Sequence, residues 1–572
     1  MQFSIKQKFM KQKFLKLLCC LLPFAASASL AGALTDAAMR GDYALVGRLL
    51  SEGAEANDVQ ADGTTALHWA AQRDDTNLAG LLLNAGADPD KSNRTNARPM
   101  QLAAVNGSAS MLELLLGAGA DVNAPQTVTG DTALMLAART GVREAVQVLL
   151  DHGADINTQE AWGGTTALMW AVNENHLDVI KQLLSHGADV NVSSRFIAPD
   201  TGRGFEGSPL RERQPEEVGP VQGATGEFTA LIFAAREGHV DAARLLIEAG
   251  ADVNRIAADG KDALGMAIFN GHYEAATLLV DSGSSVDQPD ARGFTPLFWA
   301  VDRRNMETAP NFPWTITEDP LPLVRKLLEA GADPNKLIND TPQGRMRGGS
   351  PRIVFATALM RATFSGDLEL TRLLLDFGAD PHIRSIEDET ALGAAAGLGF
   401  VMGFHKERPM SERLEVIKLL VELGLDVNWQ DDYGISPLMV AANLGDLAII
   451  EYLASQGADL GAFDLGKKND GIFGASIEPL MPIDYAIGIG TFRPNNAVVF
   501  NEPAYLLMKR MMEERSIPHV TSECTLRGFT CSAADMDPRD VSPLGIEKAR
   551  AMQTGHQVND PTTGKGLEVT DQ

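Results

Sequence analysis

"GTTALHWAAQ" occupies residues 63–72, and close variants of it return along the chain. They read "GDTALMLAAR" at 130–139, "GTTALMWAVN" at 164–173, "EFTALIFAAR" at 227–236 and "GFTPLFWAVD" at 293–302. The phrase reads as an instruction for packing. Asp62-Gly63 suits a tight turn, because Gly takes positive φ without strain. Thr65 suits a helix N-cap, its hydroxyl satisfying a free backbone N–H. Elsewhere the cap is followed by Pro, as Thr295-Pro296 and Ser436-Pro437, and Pro is favoured at the first helical position. Leu67, Ala70 and Ala71 then fall on one side of a short helix, the alanines small enough for a neighbouring helix to come close.

A second phrase sets the period. It reads "GAEAN" at Gly53, "GADPD" at Gly86, "GADVN" at Gly119, "GADIN" at Gly153 and "GADVN" at Gly187, at spacings of 33, 33, 34 and 34 residues. It recurs at Gly250, Gly283 (as "GSSVD"), Gly331, Gly378, Gly424 and Gly457. Between the phrases lies a turn, often with Gly (Gly141, Gly238, Gly271, Gly445), and a second amphipathic stretch such as "VREAVQVLL". The phrase's Gly sits where a helix C′ residue belongs. One unit cannot bury its apolar face alone; stacked neighbours bury it between them.

The period near 33, the T-A/P-L start and the G-A-D-x-N ending resemble the ankyrin repeat family. Matching starts stand at Thr65-Ala66-Leu67-His68, Thr132-Ala133-Leu134, Thr166-Ala167-Leu168, Thr229-Ala230-Leu231, Thr295-Pro296-Leu297, Thr357-Ala358-Leu359, Thr390-Ala391-Leu392 and Ser436-Pro437-Leu438. Most units carry Ala where the family favours Pro. The third reads "RPMQLAA", and the seventh "KDALGMA", with Gly265 inside a helix at a cost of roughly 1 kcal/mol against Ala. The resemblance covers residues 34–515. It implies an elongated all-α repeat solenoid of 11–12 units with short β-hairpin fingers. The first helix is expected to start at Thr35. Lys509, Arg510, Glu513, Glu514 and Arg515 make the last helix polar, as a terminal cap requires.

The period breaks in two kinds of place. Inserts at about 193–225, 336–355 and 461–478 follow the "GAD" phrase and enlarge fingers. Inserts at 303–322, 397–413 and 488–503 fall between the two helices of a unit, at the opposite rim. The first finger insert carries Arg195, Arg203, Arg211 and Arg213 with Phe196 and Phe205. The second carries Lys336, Arg345, Arg347 and Arg352 against the single acid Asp340. Arg and aromatic residues are enriched at binding hot spots, so Arg195, Phe196, Arg203, Phe205, Arg345 and Arg347 are the partner-binding candidates. Solvated loop is the competing reading. Deleting 195–222 is expected to spare helix content and abolish capture of a partner.

Little else in the chain reads as chemistry. His68, His239 and His272 occupy repeat positions and read as structural. Trp69, Trp170 and Trp299 share one phase and read as packing, with a binding stripe as the minority alternative. "GAFDLGKK" (461–468) mimics a P-loop but ends in Lys where Mg²⁺ binding needs a hydroxyl. No H-E-x-x-H or G-x-S-x-G occurs. No catalytic residue, cofactor or metal is therefore assigned.

The N-terminus carries Lys6, Lys8, Lys11, Lys13 and Lys16, then "LLCCLLPFAASA". Lys flanks, a short apolar run and Ala26-Ser27-Ala28 read as a secretory signal over residues 1–28, cleaved after Ala28; an uncleaved anchor is the alternative. Export makes a local disulfide between Cys524 and Cys531 the natural reading of the 516–572 tail, the rest of which reads as partly disordered. The formal net charge of −26 over 572 residues excludes a nucleic-acid footprint. The expectation is a non-catalytic, monomeric scaffold, periplasmic or secreted, with no stable membrane insertion after cleavage. It would bind a protein partner through the concave helix face and the fingers. An effector acting on another cell, and an enzyme carrying its activity in an insert or the tail, are the alternatives.

Overall fold

The computed structural model describes residues 32–197, 224–305, 318–338, 357–385, 388–397, 408–464, 481–486 and 501–518. It also describes the backbone of a short antiparallel pair, Val558–Asn559 with Gly566–Leu567. The chain divides into two bodies, 1–161 and 162–572. The first holds four helix pairs: Ala33–Arg40 with Tyr43–Ser51, Ala66–Gln72 with Thr76–Asn84, Pro99–Asn106 with Ala109–Gly117, and Ala133–Thr140 with Arg143–Asp151. The second begins with Ala167–Asn173 and Leu177–Ser185 (unit 5), Ala230–Glu237 and Val240–Glu248 (unit 6), and Ala263–Asn270 and Tyr273–Asp281 (unit 7). Pro296–Arg304 and Leu321–Glu329 (unit 8), Ala358–Phe364 and Leu368–Asp376 (unit 9), and Ala391–Ala396 and Met410–Glu422 (unit 10) follow. Pro437–Leu444 and Leu447–Ser455 (unit 11), then Pro482–Ala486 and Glu502–Glu514 (unit 12), close the series. The two bodies therefore carry twelve pairs among the described residues.

The local reasons are those the repeat phrase encodes. Thr or Ser caps the first helix through its side-chain oxygen at Thr65, Thr132, Thr166, Thr229, Thr295, Thr357, Thr390 and Ser436. Replacing such a cap by Ala typically costs about 1 kcal/mol. The second helix closes on the phrase's Gly, as at Gly86 with φ +88°, where Ala87 N–H reaches Leu82 O at 3.0 Å. Within each body, first helices pack on first helices and second on second. Leu67, Ala70, Ala71, Ala79 and Leu82 are fully buried by this stacking, and each Leu so buried contributes about 2 kcal/mol.

The Asn of "GADxN" ties successive units together. Asn57 accepts from Asp88 N–H at 2.7 Å and donates to Gly86 O at 3.1 Å. Asn123, Asn191, Asn335 and Asn428 repeat the pattern.

One detail differs from the sequence expectation. The first helix begins at Ala33 rather than Thr35, because buried Thr35 uses its hydroxyl as a donor to Asp58 O at 2.8 Å instead of as a cap. The short fingers are turns that carry isolated antiparallel bridges, such as Val59↔Thr65 and Ile197↔Thr225. They are too short for a ladder, and side chains supply the missing acceptors. Asp290 Oδ1 accepts from Arg292 and Phe294 N–H, and Asp431 Oδ1 from Tyr433 and Ile435 N–H.

Candidate functional site

Two of the sequence candidates, Arg195 and Phe196, fall at the root of the first finger insert. Arg195 donates its N–H to Gly163 O at 2.7 Å, and Ile197 and Thr225 exchange backbone bonds at 2.7 and 2.9 Å. Phe196 is 4% exposed and packs with Ala224 and Ala258, so its ring anchors the finger. An open depression of about 500 Å³ lies beside it, lined by Ser194, Glu227, Asp252, Asn254 and Arg255 among others. The close approach demands Gly226: its φ is +95°, and a Cβ there would sit 1.9 Å from Arg195 O. Arg203, Phe205, Arg345, Arg347, Cys524, Cys531 and the expected cleavage site after Ala28 lie outside the described residues.

A face that runs across units 5–8 is better defined. In units 5–8 the fourth or the seventh residue after the helix-1 cap is aromatic. Trp170, Phe233 and Phe269 stand there half-buried, and Trp299 is 5% exposed. Cations lie over Phe233, Phe269 and Trp299. The Arg236 guanidinium is 4.7 Å from the Phe233 centroid and 5.9 Å from Phe228. Lys261 Nζ is 5.0 Å from Phe269, and Arg303 is 5.2 Å from the same ring. Phe269 meets Trp299 edge-on at 5.0 Å. Such cation–ring contacts contribute roughly 0.5–2 kcal/mol each, more as water is excluded. The cations are held from behind: Arg236 donates to Asn173 Oδ1 at 2.9 Å, and Lys261 pairs with Asp259 at 2.7 Å and Asp290 at 3.6 Å. Trp299 Nε1 donates to Asp290 Oδ2 at 3.1 Å. The tryptophan phase thus serves packing at unit 8 and a partly open face at unit 5.

The histidines are structural. His68 is 2% exposed, with Nδ1 2.7 Å from Thr65 Oγ1 and Nε2 3.0 Å from Ala97 O. Burial lowers the titration of His68 and of His272. His239 Nε2 lies 3.3 Å from Asn173 O.

Sequence reasoning missed a buried charge network in units 8–10. Arg361, 1% exposed, donates to Asp302 Oδ1 at 2.8 Å and Asn305 O at 3.0 Å, and also bonds Ser365. Asp367, fully buried, accepts from Arg304 Nε at 2.8 Å and from Arg408, and caps its own helix by accepting Leu370 N–H at 3.1 Å. Arg304 also reaches Glu369 at 2.9 Å, and Asp319. Burial opposes the charge on Arg304, but Asp319 and Asp367 outweigh it and raise its pKa. One signal was available: aligning the units puts Arg361 in the phase of Trp299, and a charge at a packing phase must find a buried partner. Among the described residues no cluster of three or more His, Cys, Asp or Glu could hold a metal, and no helix is long and apolar enough to cross a membrane.

Comparison with known proteins agrees with the repeat geometry. The family described as ankyrin repeats (three copies) matches residues 34–126, 100–194, 231–310 and 359–464, together more than half of the chain. Human ankyrin repeat and SOCS box protein 3 is 32% identical over 111 residues, 16% of this chain and 21% of that protein. The E3 ubiquitin-protein ligase KEG of Arabidopsis thaliana is 32% identical over 121 residues, 21% of this chain and 6% of that protein. The alignments thus span about a fifth or less of either relative's length. The crystal structure of the human ASB11 ankyrin repeat domain aligns at 25% identity and a TM-score of 0.35, covering 44% of this chain and 98% of that one.

Proposed function

We propose, from the premise that this chain belongs to the ankyrin repeat family, that it is a non-catalytic scaffold exported to the bacterial periplasm. It holds a partner protein on the cation–aromatic face of units 5–8, with the enlarged fingers supplementing the contact. The observation that carries the reading is the half-buried row Trp170, Phe233 and Phe269 with Arg236 and Lys261 stacked against it. Aromatic and Arg side chains fixed in place before binding lose little entropy when a partner arrives. Protein binding is the family's general role, and nothing in the row requires a cofactor.

The test compares capture by three proteins from native envelope fractions, followed by identification of what co-elutes. Wild type retains the partner. Phe233→Ala/Phe269→Ala loses it while keeping its helical spectrum. The third protein replaces 198–223 with a Gly-Gly turn, which spares Phe196 and the Ile197–Thr225 bridge, and is expected to bind more weakly. Full capture by the double alanine variant refutes the face. Separating periplasm, membrane and medium tests export: recovery of the chain from the cytoplasm with residues 1–28 intact refutes it.

A further inference from the structure

Unit 7 departs from most of the units at the cap of its first helix. Where eight units offer a Thr or Ser hydroxyl, it offers the carboxylate of Asp262, which is 1% exposed. Asp262 Oδ1 accepts Gly265 N–H at 2.7 Å; Oδ2 is buried with no hydrogen-bond partner. A hydroxyl in this slot is satisfied by one bond, whereas an ionised carboxylate leaves half its charge buried and unanswered.

The charged groups on the elements packed against this helix are engaged elsewhere or exposed. Lys261 pairs with Asp259 and Asp290. On unit 6, Arg236 pairs with Glu237. On unit 7's second helix, Asp281 pairs with Lys326 and Glu274 is exposed. On unit 8, Asp302 pairs with Arg361 and Arg303 lies on Phe269. His272, half-buried at the turn, is shifted toward its neutral form. Unit 7 is also weak by construction, with Gly265 inside the helix at about 1 kcal/mol against Ala.

We propose that Asp262 is a proton-operated switch on unit 7: neutral, it caps the helix and holds the unit closed; ionised, it loosens the unit. The Lys261–Phe269 segment of the cation–aromatic face loosens with it. The consequence for binding rests on the docking reading above; the switch itself does not. Desolvation raises the Asp262 carboxyl from 3.8 to about 7, against the backbone N–H groups of Gly265, Asp262 and Leu264 that favour the charged form. A raised carboxyl stabilises the fold fully below the unfolded value near 3.8, and that contribution is lost as pH rises through about 7. Unit 7 is therefore firmest in acid.

The test is hydrogen–deuterium exchange of the full chain at pH 5.5 and 8.0, each corrected for intrinsic exchange, read on peptides covering 263–281. The opening constant of wild type is expected to rise about 30-fold between the two pH values. Asp262→Thr, which installs the hydroxyl cap of the eight Thr/Ser units, and Asp262→Asn, which keeps the shape without the charge, are expected to abolish that rise. No rise in wild type, or an equal rise in Asp262→Thr, overturns the proposal. No partner is needed for this readout, so its failure and a failure of the capture experiment remain separate results.

Discussion

Asp367 is the residue whose loss should cost the most, and its cost can be divided. The carboxylate is fully buried, takes Arg304 and Arg408 on one oxygen, and caps the second helix of unit 9 with the other. Removing one member of a buried pair typically costs about 3–5 kcal/mol, because its partner's charge stays behind. A lost cap alone costs about 1 kcal/mol. Asp367→Ala loses both and is expected to destabilise by about 4 kcal/mol. Asp367→Asn keeps an acceptor for Leu370 N–H and is expected to cost about 1 kcal/mol less. Arg304 retains Asp319 and Glu369, whose side chains are 57% and 69% exposed. Adding Arg304→Met therefore strands only carboxylates that water can solvate. In the Asp367→Ala background it is expected to recover about 1–3 kcal/mol as a coupling energy. Urea unfolding followed by circular dichroism measures the total. Exchange protection of 296–304 and 358–376 localises it, since a repeat array need not unfold in one step. A loss below 1 kcal/mol for Asp367→Ala, or no coupling with Arg304→Met, refutes the view that this network joins units 8–10.

Three further outcomes follow from the same geometry. Gly226→Ala forces a Cβ to 1.9 Å from Arg195 O at φ +95°, so exchange protection at Ile197 and Thr225 should fall while the unit 6 helices keep theirs; unchanged protection would contradict the packing described. Asn428→Ala removes the bonds to Gly457 O and Asp459 N–H and should cost about 1–2 kcal/mol, read as a lower urea midpoint for units 11 and 12 with unit 5 unaffected. Burial and then nearby Asp464 raise Asp484 to about 6, against the Met481 N–H bond, so its stabilisation is lost as pH rises through that value; Asp484→Asn should raise the melting temperature at pH 8 and leave it unchanged at pH 4, and an equal effect at both would refute the titration.

What the sequence made legible and what it hid divide along a physical line. The caps, the closing glycines and the Leu/Ala faces are local choices that repeat, so their period is countable in the chain itself. Phe196 was legible as special but not as buried, because composition cannot tell a ring that waits for a partner from one that pins its own loop. The Arg304–Asp367–Arg408 and Asp302–Arg361 pairs join residues 41 to 63 positions apart, beyond the reach of local spacing. Each of these pairs sits where a unit breaks the repeat's own rule, as Asp262 does at its cap. A phase that holds Trp in three units and Arg in a fourth states, by that substitution, that something charged lies opposite. In a stack of near-identical modules the shared residues therefore specify the fold. The deviations mark where one module differs from its neighbours in what it holds or when it lets go, and so the substitutions most worth testing are those that return a deviant position to the residue its neighbours carry.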